Sequence, residues 1–441
     1  EVFSEKGGFD VVIANPPYIR QERLTADKPL LKEAFPNVYS GVADIYVYFY
    51  RQGFALAQAK GILVFISSNK FLRAGYGKNL RAYLRDRTTL KTVIDFGDLP
   101  IFEATTYPCI VVAANRQPWD GTEVRALNIH SMTTLEHLAD AVRRDGWDQA
   151  RASLHQEGWA LDRPAVLALI DKLRGTGTPL GTYVGGRFYY GIKTGLNAAF
   201  VIDSSTRDSL VHDDPVCVEV CKPWLGGREI KRWRVDWAGK YLIVLQNSAD
   251  RDANNPWAHA KSKKQAESLF AQTYPSIYKH MLKHKSRLTK RSDQGKYWWE
   301  LRPCEYYSGF DKPKILYPDI AKEPQFAYDT TGAYVGNTAY ILPTDEFYLL
   351  GILNSSVTAF FYSQISSTYR GDYLRFIATY MEQVPIPDAS PAHRAAMESV
   401  VRKLLDAEGK GPQVAGWERE LNALVYELYG LTEEEIAIVE G

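Results

Sequence analysis

The tetrapeptide Asn15-Pro16-Pro17-Tyr18 follows the apolar run Phe9–Ala14. A run of that kind reads as a buried parallel strand. Two consecutive prolines fix φ and remove two N–H donors, so the strand must end in a stiff turn. The Pro16 carbonyl is then held next to the side-chain oxygen of Asn15. Two acceptors at a fixed separation can bind both hydrogens of one exocyclic –NH2 group. Tyr18 adds a ring face on which a planar ligand can stack. The same residues are also ordinary turn formers, with an aromatic packed behind them. Alone, the tetrapeptide leaves both readings open.

A chain of 441 residues has room for two or three domains, and 45% hydrophobic residues can fill sizeable cores. The net charge of +1 carries no global signature of a polyanionic partner, so any such signal must be local. The four cysteines, Cys109, Cys217, Cys221 and Cys304, lack a paired CxxC pattern. Neither a disulfide framework nor a metal site is indicated. No signal peptide and no apolar run of membrane-spanning length is present, so a cytoplasmic protein without a membrane partner is expected. Residue 1 is Glu, and only a short helix or loop precedes the first strand.

Strand and helix patterns alternate from there. Val42–Ala59 has helical periodicity, closed by Gly61. Ile62–Ile66 reads as a buried strand, Lys78–Arg87 as an amphipathic helix, Leu90–Phe96 and Cys109–Ala114 as strands. This order predicts half of a doubly wound α/β domain closed by a hairpin. Residues 1–118 form this domain in the expected division. A connector follows over 119–179, with a helix at Asp162–Arg174 and a linker at Gly175–Pro179. Residues 180–386 read as an α+β domain of short strands and a few helices. Residues 387–441 read as C-terminal helices, His393–Glu408 and Gly416–Tyr429, with Thr432 capping a third. Within 180–386, Lys279, Lys283, Lys285, Arg287, Lys290 and Arg291 stand with no acid between them, and Trp298, Trp299, Tyr306 and Tyr307 follow. Basic residues beside aromatics suit a polyanion groove; a solvated helix face is the alternative.

The order of motifs resembles N6-adenine DNA methyltransferases of the gamma arrangement, especially the TaqI-like enzymes and their relatives in single-chain restriction-modification systems. The matching stretches are FDVVIANPPYIRQ (9–21), ADIYVYF (43–49), GILVFISSNKFLRAGYGKNLRAYL (61–84) and VIDFGDLPIFEATTYPCIVV (93–112). Further on come GIKTGLNAAFVID (191–203), KPWLGGREIKRW (222–233), KRSDQGKYWWELR (290–302), KPKILYPDIAKEPQFAYD (312–329), YLLGILNSS (348–356) and SSTYRGDYLRF (366–376).

The resemblance implies a partial Rossmann-like methyltransferase sheet, then a target recognition domain, then C-terminal helices. It implies double-stranded DNA as partner and S-adenosylmethionine as cofactor. Asn15 and Pro16 would hold the N6 amino group of a flipped adenine, with Pro17 stiffening the loop and Tyr18 stacking on one face. Phe102 would stack on the other. Flipping costs a few kcal/mol, which two aromatic faces help offset at about 1–3 kcal/mol per stacked base. The amine would attack first and lose its proton afterwards, so the pocket's contribution is orientation. Asp44 and Tyr46 begin a motif that borders the cofactor and target pockets; Asp44 could equally cap the following helix. Lys290, Arg291, Lys296, Arg302, Lys312, Arg370 and Arg375 would contact phosphates or bases.

One departure is large. The family's glycine-rich cofactor loop precedes the Asn-Pro-Pro-Tyr strand, and Gly7-Gly8 is not that loop. The expectation is a C-terminal fragment of a longer protein, with most of the cofactor site upstream and any nuclease, fused or separate, upstream as well. The same tetrapeptide also serves enzymes that methylate adenine in RNA or a glutamine amide in protein. A DNA specificity module without activity of its own is a further reading.

Overall fold

The computed structural model describes residues 2–441 except 98, 103–106, 130, 252, 367 and 370–372, and for 368 and 369 the backbone alone. They fall in two compact units, Glu1–Gly175 with Phe361–Leu374 and Thr176–Phe360 with Arg375–Gly441. Among the described residues no helix is long and apolar enough to cross a membrane.

The first unit is built on a six-stranded sheet. Its elements are β1 (Phe9–Ala14), α1 (Tyr46–Leu56), β2 (Ala57–Ser68), α2 (Lys78–Arg87), β3 (Thr89–Asp95), β4 (Pro108–Ala114), β5 (Glu123–Asn128), α3 (Leu138–Arg144) and β6 (Trp147–Ala150). The strand order is β1-β2-β4-β3-β5-β6. β1 runs parallel to β2, and β4 inserts antiparallel between β2 and β3. The expected α/β class and the closing hairpin are therefore present. β5 and β6, from the stretch read as a connector, extend the same sheet.

One face of this sheet buries Val47, Tyr50, Leu63, Phe65, Leu80, Leu84, Val93 and Val111 beneath α1 and α2. The other is covered at β3 and β5, where Ile94, Phe96, Leu127 and Ile129 meet Ala141 of α3. At β1 that second face is bare. Val11 is 50% and Ile13 75% exposed, so β1 is a parallel edge strand and not the buried one its apolar run predicts. Gly61 also departs from expectation. It lies inside β2, where a Cβ would meet the Phe9 carbonyl oxygen at 2.8 Å, and α1 ends earlier, at Leu56.

The second unit holds two four-stranded sheets. One orders Tyr334–Val335, Cys221–Leu225, Lys240–Ile243 and Val201–Asp203; the other orders Ala327–Asp329, Lys314–Pro318, Ala339–Leu342 and Tyr189–Tyr190. Their shared core holds Leu225, Leu242, Ile243, Leu316 and Ile341. Gly177–Pro179, read as a linker, pairs instead with Pro385–Pro387. Helices Pro391–Asp406 and Val414–Tyr429 follow, and a last one, Glu433–Glu440, starts with a Thr432–Glu435 capping box.

Candidate functional site

In open α/β sheets ligands bind outside the carboxyl ends of the parallel strands. Asn15-Pro16-Pro17-Tyr18 leaves the carboxyl end of β1. Pro16 is buried, Asn15 and Pro17 are exposed, and Tyr18 is half-buried. The Tyr18 ring lies 6.2 Å from the Phe102 ring, tilted by 58°. Both predicted stacking residues thus reach one place, although 84 positions separate them in sequence. A base between two parallel rings needs about 7 Å, twice the usual stacking distance. The rings would have to part slightly and rotate to admit one.

The Tyr18 hydroxyl is hidden from solvent and has no hydrogen-bond partner among the described residues. Burial, and secondarily the nearby Cys109 thiol, pushes its pKa up to about 12. The phenol therefore stays neutral at any physiological pH.

The neighbouring strand ends complete the setting. After β2, Asn69 donates through Nδ2 to Asp95 Oδ1 at 2.7 Å, and its backbone N–H donates to the Tyr107 carbonyl at 2.6 Å. Asp95, the last residue of β3, also accepts from the Gly97 amide at 3.0 Å. Lys70 Nζ sits 5.4 Å over the Tyr107 ring. Asn69, Lys70, Asp95 and Tyr107 were not among the sequence-derived candidates. Their signal was topological, since each lies at the same edge of the sheet as Asn15.

Asp44 and Tyr46 separate here. Tyr46 is fully buried, and its hydroxyl meets that of Tyr76 at 2.9 Å, so it is a core residue. Asp44 Oδ1 accepts from the Gln21 backbone amide at 3.0 Å. It makes no side-chain cap to α1. Burial raises its pKa, while the Gln21 amide and the charges of Lys70 and Arg20 act the other way.

In the second unit the basic candidates divide by exposure. Lys290, Lys296, Arg302 and Lys312 are exposed. Arg302 pairs with Asp293 at 3.6 Å, and Arg375 makes a bidentate pair with Asp319 at 3.0 Å. Arg370 lies outside the described residues. Arg291 departs from the expectation. It is 8% exposed, lies over the Phe200 ring, and donates to the carbonyls of Thr194, Trp298 and Glu300. Its guanidinium is a core fastener, closed to a phosphate. The aromatics after it are also largely interior: Trp299 stacks on Tyr297 and Phe270. Helix breaks at Leu282 and Leu288 divide the basic stretch, so its cations do not share one helix face.

A nucleoside cofactor needs a cradle, and the described residues do not offer one at Gly7-Gly8. Those glycines enter the amino end of β1, the wrong end of the strand. Gly8 has φ of +139° and lies so close to the backbone of 56–58 that a Cβ would meet Gln58 N at 2.6 Å. It is a packing residue.

Residues 1–102 match the Eco57I restriction-modification methylase family, and residues 222–386 match the TaqI-like C-terminal specificity domain. The type II methyltransferase M.PaeR7I of Pseudomonas aeruginosa is 26% identical over 99% of this chain and 73% of its own length. M.XhoI of Xanthomonas vasicola is 26% identical over 98% of this chain and 76% of its own. Among solved structures, the type IIL restriction-modification enzyme MmeI in complex with DNA has the same fold. Its TM-score is 0.59 at 14% identity, and the match covers 97% of this chain and 56% of that one. The chain is thus a relative of the type II restriction-modification methyltransferases, with a methylase segment followed by a TaqI-like specificity domain, as its motifs implied.

Proposed function

We propose that this chain is the target-binding part of a site-specific DNA adenine-N6 methyltransferase that uses S-adenosylmethionine. The observation that carries the reading is the convergence of Tyr18 and Phe102 beside the Asn15 and Pro16 acceptors at the end of β1. Asn15 Oδ1 and the Pro16 carbonyl would accept the two hydrogens of the adenine amino group and aim its lone pair. Tyr18 and Phe102 would take the two faces of the flipped base. S-adenosylmethionine would supply the methyl group. Residues 1–118 would act as the later half of the catalytic domain, 119–179 as a connector, 180–386 as the DNA reader and 387–441 as its helical support. Lys290, Lys296, Arg302, Lys312 and Arg375 remain candidate DNA contacts.

The test is direct. Labelled S-adenosylmethionine is offered to the full-length protein with duplex DNA, structured RNA and a protein mixture in parallel, and the products are hydrolysed. Label in N6-methyladenine from DNA is the expected result. Label in RNA or in glutamine would keep the pocket chemistry and overturn the DNA reading.

A further inference from the structure

The loop that grips the amino group cannot anchor itself. Pro16 and Pro17 have no N–H to donate, and β1 ends two residues before Pro16, at Ala14. Fixation must come from where the chain goes next. Two bonds meet it there: the Ile45 amide donates to the Ile19 carbonyl at 3.0 Å, and the Gln21 amide donates to Asp44 Oδ1 at 3.0 Å. Successive residues at the entrance to α1, Asp44 and Ile45, thus hold Gln21 and Ile19 of the segment that leaves the loop and enters the 3-10 helix Gln21–Leu24. Lys28 Nζ extends the clamp by donating to Gln21 Oε1 at 2.8 Å. Asp44 is half-buried, and the charged groups acting on it are Lys70 from the turn after β2 and Glu22 and Arg20 from the segment that follows the loop.

We infer that Asp44 is a positioning residue for the target loop: its carboxylate oxygen ties the Gln21 amide to α1 and so fixes where Asn15 and Pro16 point. This rests on the reading of that loop as the amino-group site. It differs from a role in binding the cofactor, because what the loop requires of Asp44 is an acceptor atom and not a charge. A misplacement of about 1 Å at a reacting centre costs about a hundredfold in rate, so a loosened loop would show in turnover before it shows in affinity.

The experiment compares Asp44→Ala with Asp44→Asn in the full-length protein. Asn keeps Oδ1 as an acceptor and removes the charge; Ala removes both. For Asp44→Ala the expected results are a kcat reduced at least about thirtyfold, KM for S-adenosylmethionine and duplex affinity unchanged within about threefold, and hydrogen exchange at the Gln21 amide at least about tenfold faster. Asp44→Asn should stay within about fivefold of wild type in kcat and keep the slow exchange. If Asp44→Asn raises KM for the cofactor as far as Asp44→Ala does, the charge binds the cofactor and the inference is wrong. Unchanged exchange at Gln21 in Asp44→Ala overturns it too, and if that variant fails to fold, Asp44→Asn decides alone. Failure of wild type to methylate DNA would instead count against the site reading, while the exchange data would still decide whether the clamp exists.

Discussion

At the scale of single residues, Tyr18 separates shape from polarity. Its hydroxyl has no partner among the described residues, so Tyr18→Phe should keep full methylation. Tyr18→Ala removes the ring face and should lower kcat/KM by about tenfold to a hundredfold, the equivalent of one stacked base. Steady-state assays on the full-length protein compare the two, and a loss in Tyr18→Phe would give the hydroxyl a polar role. Asn15→Ala should cut turnover by about a hundredfold or more, the scale of one lost polar contact at a reacting group, with duplex affinity nearly unchanged. An equal fall in binding would make the loop structural. Arg291 and Lys290 make a second contrast. Arg291→Ala leaves carbonyls of Thr194, Trp298 and Glu300 without their donor in the core, and should cost at least about 1–3 kcal/mol in denaturant unfolding. Lys290→Ala should leave stability unchanged and lower the slope of log affinity against log salt by about one if Lys290 meets a phosphate. Composition could not distinguish these neighbours, because a charge in sequence carries no mark of its burial. The stiff turn at Asn15-Pro16-Pro17-Tyr18 after β1 was legible because the restriction imposed by two prolines is local.

At the scale of elements, what was legible follows a similar boundary. Lys78–Arg87 emerged as predicted, since its apolar spacing and its ends are local facts. β1 was legible in kind and direction but not in burial: an apolar run on both faces reads as double coverage, and only one face is covered. The end of α1 was misplaced because glycine marks both a helix terminus and a close strand approach, and only the Phe9 carbonyl beside Gly61 tells which. The helix Pro275–Leu282 carries a titratable fastener that sequence could not reveal. His280 Nε2 lies 2.9 Å from the Ala199 carbonyl, and burial, with the charges of His284 and Lys283, holds its pKa below the usual 6.5. A base with a lowered folded-state pKa gives stability that is present above 6.5 and lost as pH falls through the folded value. Thermal unfolding of the second unit should therefore weaken from pH 7 to pH 5, and His280→Gln should flatten that slope. A slope unchanged by the substitution would assign the acid sensitivity elsewhere.

At the scale of the whole molecule, the proposed function divides the site into residues that would hold a target and residues that would hold a methyl donor, and the chain is rich in the first. On the proposed reading, the Tyr18–Phe102 ring pair, the Asn15 and Pro16 acceptors and the stretch matching the TaqI-like specificity domain all concern the acceptor substrate. Of the glycine pair before β1, Gly8 packs against the backbone of residues 56–58, and β1 itself stands at the sheet edge with Val11 and Ile13 uncovered. The relatives bear on this, because the match spans 73% of M.PaeR7I and 56% of the MmeI chain. An incomplete cofactor cradle loses most of its affinity, since the polar groups of a ribose and a sulfonium need fixed partners to offset their desolvation. These 441 residues on their own should therefore bind duplex DNA measurably while S-adenosylmethionine binds no more tightly than about millimolar, which is near 4 kcal/mol. Isothermal titration of the chain with the cofactor, and with duplex DNA beside it, makes the comparison. Micromolar binding to the isolated chain would mean that the strand ends around Asn69, Lys70 and Asp95 form a cradle after all, and would shift those residues from supporting the loop to holding the donor.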